Sequence, residues 1–109
     1  MTDIKTAKQT IKNITDKIAE EFDPLKIILF GSYGWGKPIE ESDVDLFIIK
    51  ETSDRRIDRE RAVRKIIFGV ETPLDILVYT PEEVSRRLAF DDPFILEIVT
   101  KGKTLYKTR

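Results

Sequence analysis

Asp43, Asp45 and Asp75 are the residues of this chain whose type and spacing point to chemistry. Asp43 and Asp45 stand two apart at the head of an apolar extended run, Val44 to Ile49. Both therefore leave the same face of a strand, while Val44 and Leu46 leave the other. Asp is depleted in strands, and one placed directly before Leu46-Phe47-Ile48-Ile49 is partly desolvated and needs a compensating partner. Two carboxylates about 6 Å apart repel by about 3 kcal/mol at an effective dielectric of about 20, and by less than about 1 kcal/mol in water. Solvation, protonation or a divalent cation relieves that repulsion. The chain has no Cys and no His. Oxygen-only ligation suits magnesium or manganese, which bind through a few carboxylates plus substrate phosphates. The same absences exclude Ser-His-Asp and Cys-His catalysis, His-ligated zinc and histidine as a general base. Alone, a D-x-D pair reads as readily as a strand-end or turn-capping feature.

The context of the pair is a glycine turn. Lys26 to Phe30 is a short apolar strand that runs directly into Gly31-Ser32-Tyr33-Gly34-Trp35-Gly36. A helix opening near Ser32 would present free backbone N–H groups to phosphate, with the Ser32 hydroxyl as a further donor. Taken alone, Ser32 also has an ordinary reading as a helix N-cap. The run is neither a G-x-x-x-x-G-K-[ST] phosphate loop nor a G-x-G-x-x-G dinucleotide fingerprint. The informative addition is the carboxylate pair eleven residues after Ser32.

These side chains depend on the elements that position them. Apolar residues at Ile4, Ala7, Ile11, Ile14, Ile18 and Phe22 recur at helical spacing, so the first helix runs from Asp3 to Phe22 and stops before Pro24. Lys37 to Ser42 reads as a polar connector into the strand at Val44, whose nearly continuous apolar content predicts cover on both faces. A charged helix follows from Asp54 to Phe68, ended by Gly69, and then a third strand from Leu74 to Tyr79. That helix is about as long as the strand before it, so it returns the chain and lays strand three parallel to strand two, with Asp75 beside Asp43 and Asp45. Thr80-Pro81-Glu82-Glu83 specifies a capped helix start. Asp92-Pro93 begins another helix through Val99 with Gly102 as its stop, and Lys103 to Lys107 is a final strand or an ordered tail.

The 109 residues suit one domain, 1–109, with no room for a separate substrate-binding domain. Nineteen basic against twenty acidic residues give a formal charge of −1 and no field for wrapping nucleic acid. No apolar run approaches a membrane span, and the first residues lack the apolar segment of a signal peptide, so a cytoplasmic protein is expected.

FGSYGWGKPIEESDVDLFII, from Phe30 to Ile49, resembles the signature of the DNA polymerase beta-like nucleotidyltransferase superfamily, specifically its minimal nucleotidyltransferases. Downstream, PLDILVY resembles the strand that carries the third carboxylate. The resemblance implies an α+β nucleotidyltransferase fold, a small mixed β-sheet flanked by α-helices. It implies that Gly31 and Ser32 hold the tail of a nucleoside triphosphate, with ATP the donor, and that Asp43, Asp45 and Asp75 coordinate two Mg2+ or Mn2+ ions. Tyr33, within the turn, is a further candidate nucleotide contact. The family usually has alanine where Gly34 stands and often arginine where Trp35 stands. Trp35 here either packs on the sheet or stacks on a base.

The resemblance also implies a partner. Minimal nucleotidyltransferases are often encoded beside a higher eukaryotes and prokaryotes nucleotide-binding (HEPN) domain protein. In some such toxin–antitoxin pairs the transferase neutralises the toxin by moving AMP to its tyrosine. The sequence itself supports dependence on a second chain, a homodimer included. Arg55 and Arg59 extend the apolar stripe of the charged helix and are candidate partner contacts; a solvated helix with local ion pairs is the alternative. Two other functions stay open: a transferase for a small molecule such as an aminoglycoside, and a non-catalytic nucleotide-binding antitoxin.

Overall fold

The computed structural model describes residues 4–36 and 43–108. Asp3 and the connector expected over Lys37 to Ser42 lie outside the described residues. Helix α1 spans Ile4–Phe22. Its Ala7, Ile11, Ile14 and Ile18 form one buried stripe, as residues three and four apart must on a helix. Its other face carries an exposed Lys12–Asp16 pair at 3.0 Å. The helix ends where Pro24 disfavours a helical residue before it, and Asp23 takes φ 52°. The Lys50 ammonium donates to the Phe22 carbonyl at 2.6 Å and closes that end.

Strand β1, Lys26–Phe30, continues into a single helical turn, α2, Gly31–Gly34. Strand β2 is Val44–Ile49, helix α3 is Arg56–Ile66 and strand β3 is Leu74–Tyr79. Helix α4, Pro81–Ala89, helix α5, Pro93–Lys101, and strand β4, Lys103–Lys107, complete the described chain. The strands form one mixed sheet in the order β3-β2-β1-β4. β1 is antiparallel to both β2 and β4, whereas β2 and β3 are parallel. A parallel pair cannot be joined by a tight turn, and α3 is the crossover that the intervening length predicts.

The pleat divides the core into two layers. Ile27, Leu29, Leu46, Ile48, Ile76 and Val78 face one side, where α1 and α3 cover them. Ile28, Phe30, Phe47 and Tyr79 face the other, where α4 and α5 supply Val84, Ile95 and Ile98. Two covered faces explain why β1 and β2 are apolar almost throughout.

Three expectations change in detail. The charged helix is shorter than Asp54 to Phe68, because Arg55 is extended (φ −68°, ψ 154°) and Ile67 has already left helical geometry. The last helix reaches Lys101 rather than Val99. Gly102 then lets the chain turn into β4, since a Cβ there would meet the Ile98 carbonyl and the Ile28 side chain. Ser32 is not a helix cap: Phe30 holds that position and makes no side-chain capping bond. The capping box at Thr80 forms as expected. Glu83 N–H donates to Thr80 Oγ1 at 3.1 Å, and Thr80 N–H donates to Glu83 Oε1 at 2.9 Å.

Candidate active site

Strand register assembles the acidic end of the sheet. Asp45 pairs with Asp75 across the parallel β2–β3 ladder and with Phe30 across the antiparallel β1–β2 ladder. Neighbouring strands lie about 4.8 Å apart, and paired residues in a parallel ladder share a face. Asp45 and Asp75 therefore stand side by side on the face covered further along by Phe47, Tyr79, α4 and α5. Asp43 is two residues before Asp45 and continues the same alternation. Asp43 and Asp75 are exposed and Asp45 is half-buried. Among the described residues the three side chains are not drawn into a closed ligand shell. The Asp45 carboxyl is pushed up to about 6, first by burial and then by the charges of Asp75 and Asp43. Burial and neighbouring like charge both disfavour the ionised carboxylate.

The glycine turn closes over this cluster. Because Phe30 is paired with Asp45, the next residue must bend the backbone directly above the carboxylate. Gly31 does so with φ 70°, and a Cβ at that position would collide with the Asp45 side chain. Only glycine meets both demands. The turn is locked by the Trp35 N–H donating to the Gly31 carbonyl at 2.8 Å. Ser32 is half-buried, and among the described residues its hydroxyl makes no hydrogen bond, which leaves it available at the edge of the cluster.

The same turn separates two aromatic residues. Tyr33 is 8% exposed and packs with Ile11, Ile14 and Leu29 in the α1 layer, on the opposite face of the sheet from the carboxylates. The ring expected at the nucleotide thus packs in the core layer across the sheet from the carboxylates. Trp35 is partly buried against the other layer, on the carboxylate face.

The pair Arg55 and Arg59 is split as well. Arg55 is exposed and bonds Asp58 at 3.2 Å. Arg59 is 7% exposed, with its guanidinium enclosed by the fold. It donates to the Asp54 carbonyl at 2.7 Å, to the Val78 carbonyl at 3.2 Å and to Glu83 Oε1 at 2.7 Å. Arg59 is thus a tie between α3, β3 and α4, and its assignment as a partner contact is withdrawn. A buried cation is tolerated only when it is paired and hydrogen-bonded, and a fourth bond, from Arg59 Nη2 to Glu83 Oε2 at 3.3 Å, makes the pair with Glu83 bidentate.

Residues 12–109 match the family model described as Polymerase beta, Nucleotidyltransferase. The chain belongs to this family. The nucleotidyltransferase is 34% identical over 113 residues to a Methanocaldococcus jannaschii protein named putative protein adenylyltransferase, an alignment covering 95% of this chain and 74% of the relative. Its fold is similar to the crystal structure of a putative nucleotidyltransferase from Sulfolobus solfataricus, with a TM-score of 0.65 and 20% identity over 91% of this chain and 78% of that one. It is also similar to a chain in the crystal structure of a mutant toxin–antitoxin MntA–HpeT, with a TM-score of 0.50 and 23% identity over 94% of this chain and 73% of that one. Both likenesses establish the α+β fold with its mixed four-stranded sheet. The superfamily ordinarily uses nucleoside triphosphates and divalent ions.

Two residues of the nucleotidyltransferase escaped sequence reasoning. Glu97 and Lys101 of α5 line a cleft with Gly34 and Trp35 on the carboxylate face. Their i,i+4 spacing is legible in the sequence, but nothing there ties the last turn of α5 to the glycine turn. Among the described residues no helix is long and apolar enough to cross a membrane.

Proposed function

We propose that this nucleotidyltransferase moves AMP from ATP to a hydroxyl of a partner protein, a tyrosine of a HEPN-type toxin, and thereby acts as its antitoxin in the cytoplasm. The observation that carries the transfer reading is the register of Asp45 with Asp75 beneath Gly31. The M. jannaschii relative's name supports a protein acceptor, and the fold shared with a toxin–antitoxin structure supports a toxin partner. Both Asp43 and Asp75 are exposed, so a second molecule has access to them.

The donor set fits a hard divalent cation: three carboxylates with no nitrogen or sulfur ligand, Asp45 and Asp75 side by side in register. Asp43, Asp45 and Asp75 would hold two magnesium ions. When bound, these lower the acceptor hydroxyl's pKa and neutralise charge on the leaving pyrophosphate. Ser32 donates its hydroxyl to a phosphate oxygen of the triphosphate tail. Gly31 keeps Asp45 in place beneath the turn, because a side chain there would displace it. The acceptor oxygen forms a bond to the α-phosphorus as the bond to the β-phosphate oxygen breaks. Asp75, exposed at the sheet end, takes the acceptor proton.

The test is transfer of label from α-labelled ATP in the presence of magnesium, with and without the protein encoded by the neighbouring gene. The expected result is label on a tyrosine of that protein, absent with Asp43→Asn. Label on a small hydroxylated molecule such as an aminoglycoside, with none on the protein, would overturn the acceptor assignment. No pyrophosphate release with any acceptor would overturn the transferase reading itself.

A further inference from the structure

The cleft beside the glycine turn brings an aromatic side chain and two charged side chains together. It has a volume of about 370 Å³ and is lined by Gly34, Trp35, Glu97 and Lys101. That volume falls within the range of small-molecule sites, about 300–1,000 Å³. Trp35 supplies an aromatic wall that is anchored from behind by the α5-side core, so its position is held while part of it remains open. Glu97 and Lys101 stand one helical turn apart on α5, and both are exposed. A Glu four residues before a Lys ordinarily forms an ion pair on a helix. Here, among the described residues, neither side chain makes an ion pair or a side-chain hydrogen bond. One acceptor and one donor are thus left open at the edge of an aromatic wall.

The location ties this cleft to the transfer site. α5 leads through Gly102 into β4, where Lys103 pairs with Leu29 near the end of β1. Its last turn therefore lies at the same sheet end as Gly31 and Ser32. Trp35 is three residues after Ser32 and on the same side of the sheet as Asp45. A nucleotide whose phosphates lie at Ser32 has to place its base beyond the ribose, and the cleft at Trp35 offers an aromatic wall on the same face of the sheet.

We infer that the Trp35–Glu97–Lys101 cleft holds the purine base of the donor nucleotide, stacked on Trp35, with Glu97 accepting from a ring or exocyclic N–H and Lys101 donating to a ring nitrogen or oxygen. The assignment rests on the nucleotidyltransferase reading above and extends it to base recognition. An anchored aromatic face is preorganised for stacking, which contributes about 1–3 kcal/mol per base. The paired donor and acceptor distinguish bases by their edges.

Trp35 is the one tryptophan of the chain, so fluorescence excited selectively at tryptophan, leaving the three tyrosines dark, reports on this cleft. The full chain is titrated with Mg-ATP, with Mg-GTP and with magnesium tripolyphosphate, which has the phosphate tail and no base. Affinity is measured in parallel by calorimetry. ATP is expected to quench Trp35 strongly, while tripolyphosphate binds without quenching. Glu97→Gln and Lys101→Ala, both at exposed positions, should change the ATP to GTP affinity ratio at least fivefold and leave tripolyphosphate affinity unaltered. Trp35→Leu should weaken ATP at least tenfold and tripolyphosphate little, with Trp35→Phe restoring most of the loss. ATP binding by calorimetry without quenching, or with affinity unchanged in these variants, overturns the base site and leaves the transferase reading standing. Quenching by a tyrosine-containing acceptor peptide but not by ATP assigns the cleft to the acceptor and also overturns the proposal. Absence of binding by both ATP and tripolyphosphate overturns the transferase reading as well.

Discussion

Gly31 sits against Asp45 so closely that a single methyl group on its Cα would occupy the space of the carboxylate. The two residues are fourteen apart in sequence and are brought together because Phe30 pairs with Asp45 across β1 and β2. The contact joins the turn proposed to hold phosphate to the carboxylate proposed to hold metal.

Gly31→Ala is therefore expected to damage both at once. The substitution forces a side chain into the left-handed region at φ 70° and displaces Asp45. Stability should fall by about 1–3 kcal/mol, and transfer activity by at least 100-fold. Thermal melts and labelled-ATP transfer check the two effects; an active Gly31→Ala protein would show that the tight approach is dispensable.

Asp45→Asn should separate function from stability in the opposite sense. The Asp45 pKa is raised from 3.8 to about 6 in the folded protein. A carboxyl raised by folding costs no stability below its unfolded value and imposes its full cost above its folded value. Removing the charge should therefore stabilise the protein in EDTA at pH 7.5, with little gain at pH 3.5. Discounted for solvent screening of a half-exposed group, the gain is about 1 kcal/mol. That is about 4 °C in melting temperature. Activity with magnesium should be lost over the whole range.

The tie between Arg59 and Glu83 makes a prediction about acid. The Arg59 side chain holds the Glu83 carboxyl below its ordinary 4.5, chiefly through their hydrogen bond. An acid depressed by folding contributes stability above its unfolded pKa and loses it as pH falls through the folded value. Glu83→Gln should thus destabilise at pH 7 and progressively less below pH 4.5. Arg59→Ala should cost about 3 kcal/mol at neutral pH, because it leaves buried acceptors unpaired. Charge reversal at exposed Arg55 should cost less than about 0.5 kcal/mol. Urea titrations at several pH values distinguish these outcomes; equal losses at Arg55 and Arg59 would contradict the burial difference.

Tyr33→Phe is expected to leave the KM for ATP within twofold of the parent, since the ring lies in the α1 layer across the sheet from the carboxylates. A tenfold rise in KM would place the nucleotide on the wrong face of this structure.

Periodicity and punctuation made most elements legible. The stripe of α1, the strands at Lys26, Val44 and Leu74, and the capping box at Thr80 each rest on interactions between residues a few positions apart. The carboxylates were also readable, because a charge at the head of an apolar strand is costly wherever the strand is placed. Even their convergence followed from connection lengths, which allow α3 to return the chain and set β3 parallel to β2.

What tertiary structure alone decided is which side of the sheet each residue serves. Tyr33 and Trp35 are two apart in one turn, and local pattern does not tell which joins the core and which lines the carboxylate face. Arg55 and Arg59 looked equivalent on a helical count, yet only Arg59 lies where Val78 and Glu83, distant in sequence, supply acceptors. Glu97 and Lys101 acquire a neighbour in Trp35 only when α5 closes over the sheet. Local sequence determines backbone periodicity because those interactions span a few residues. The partner of a polar side chain is chosen by long-range packing, which depends on the whole chain folding at once.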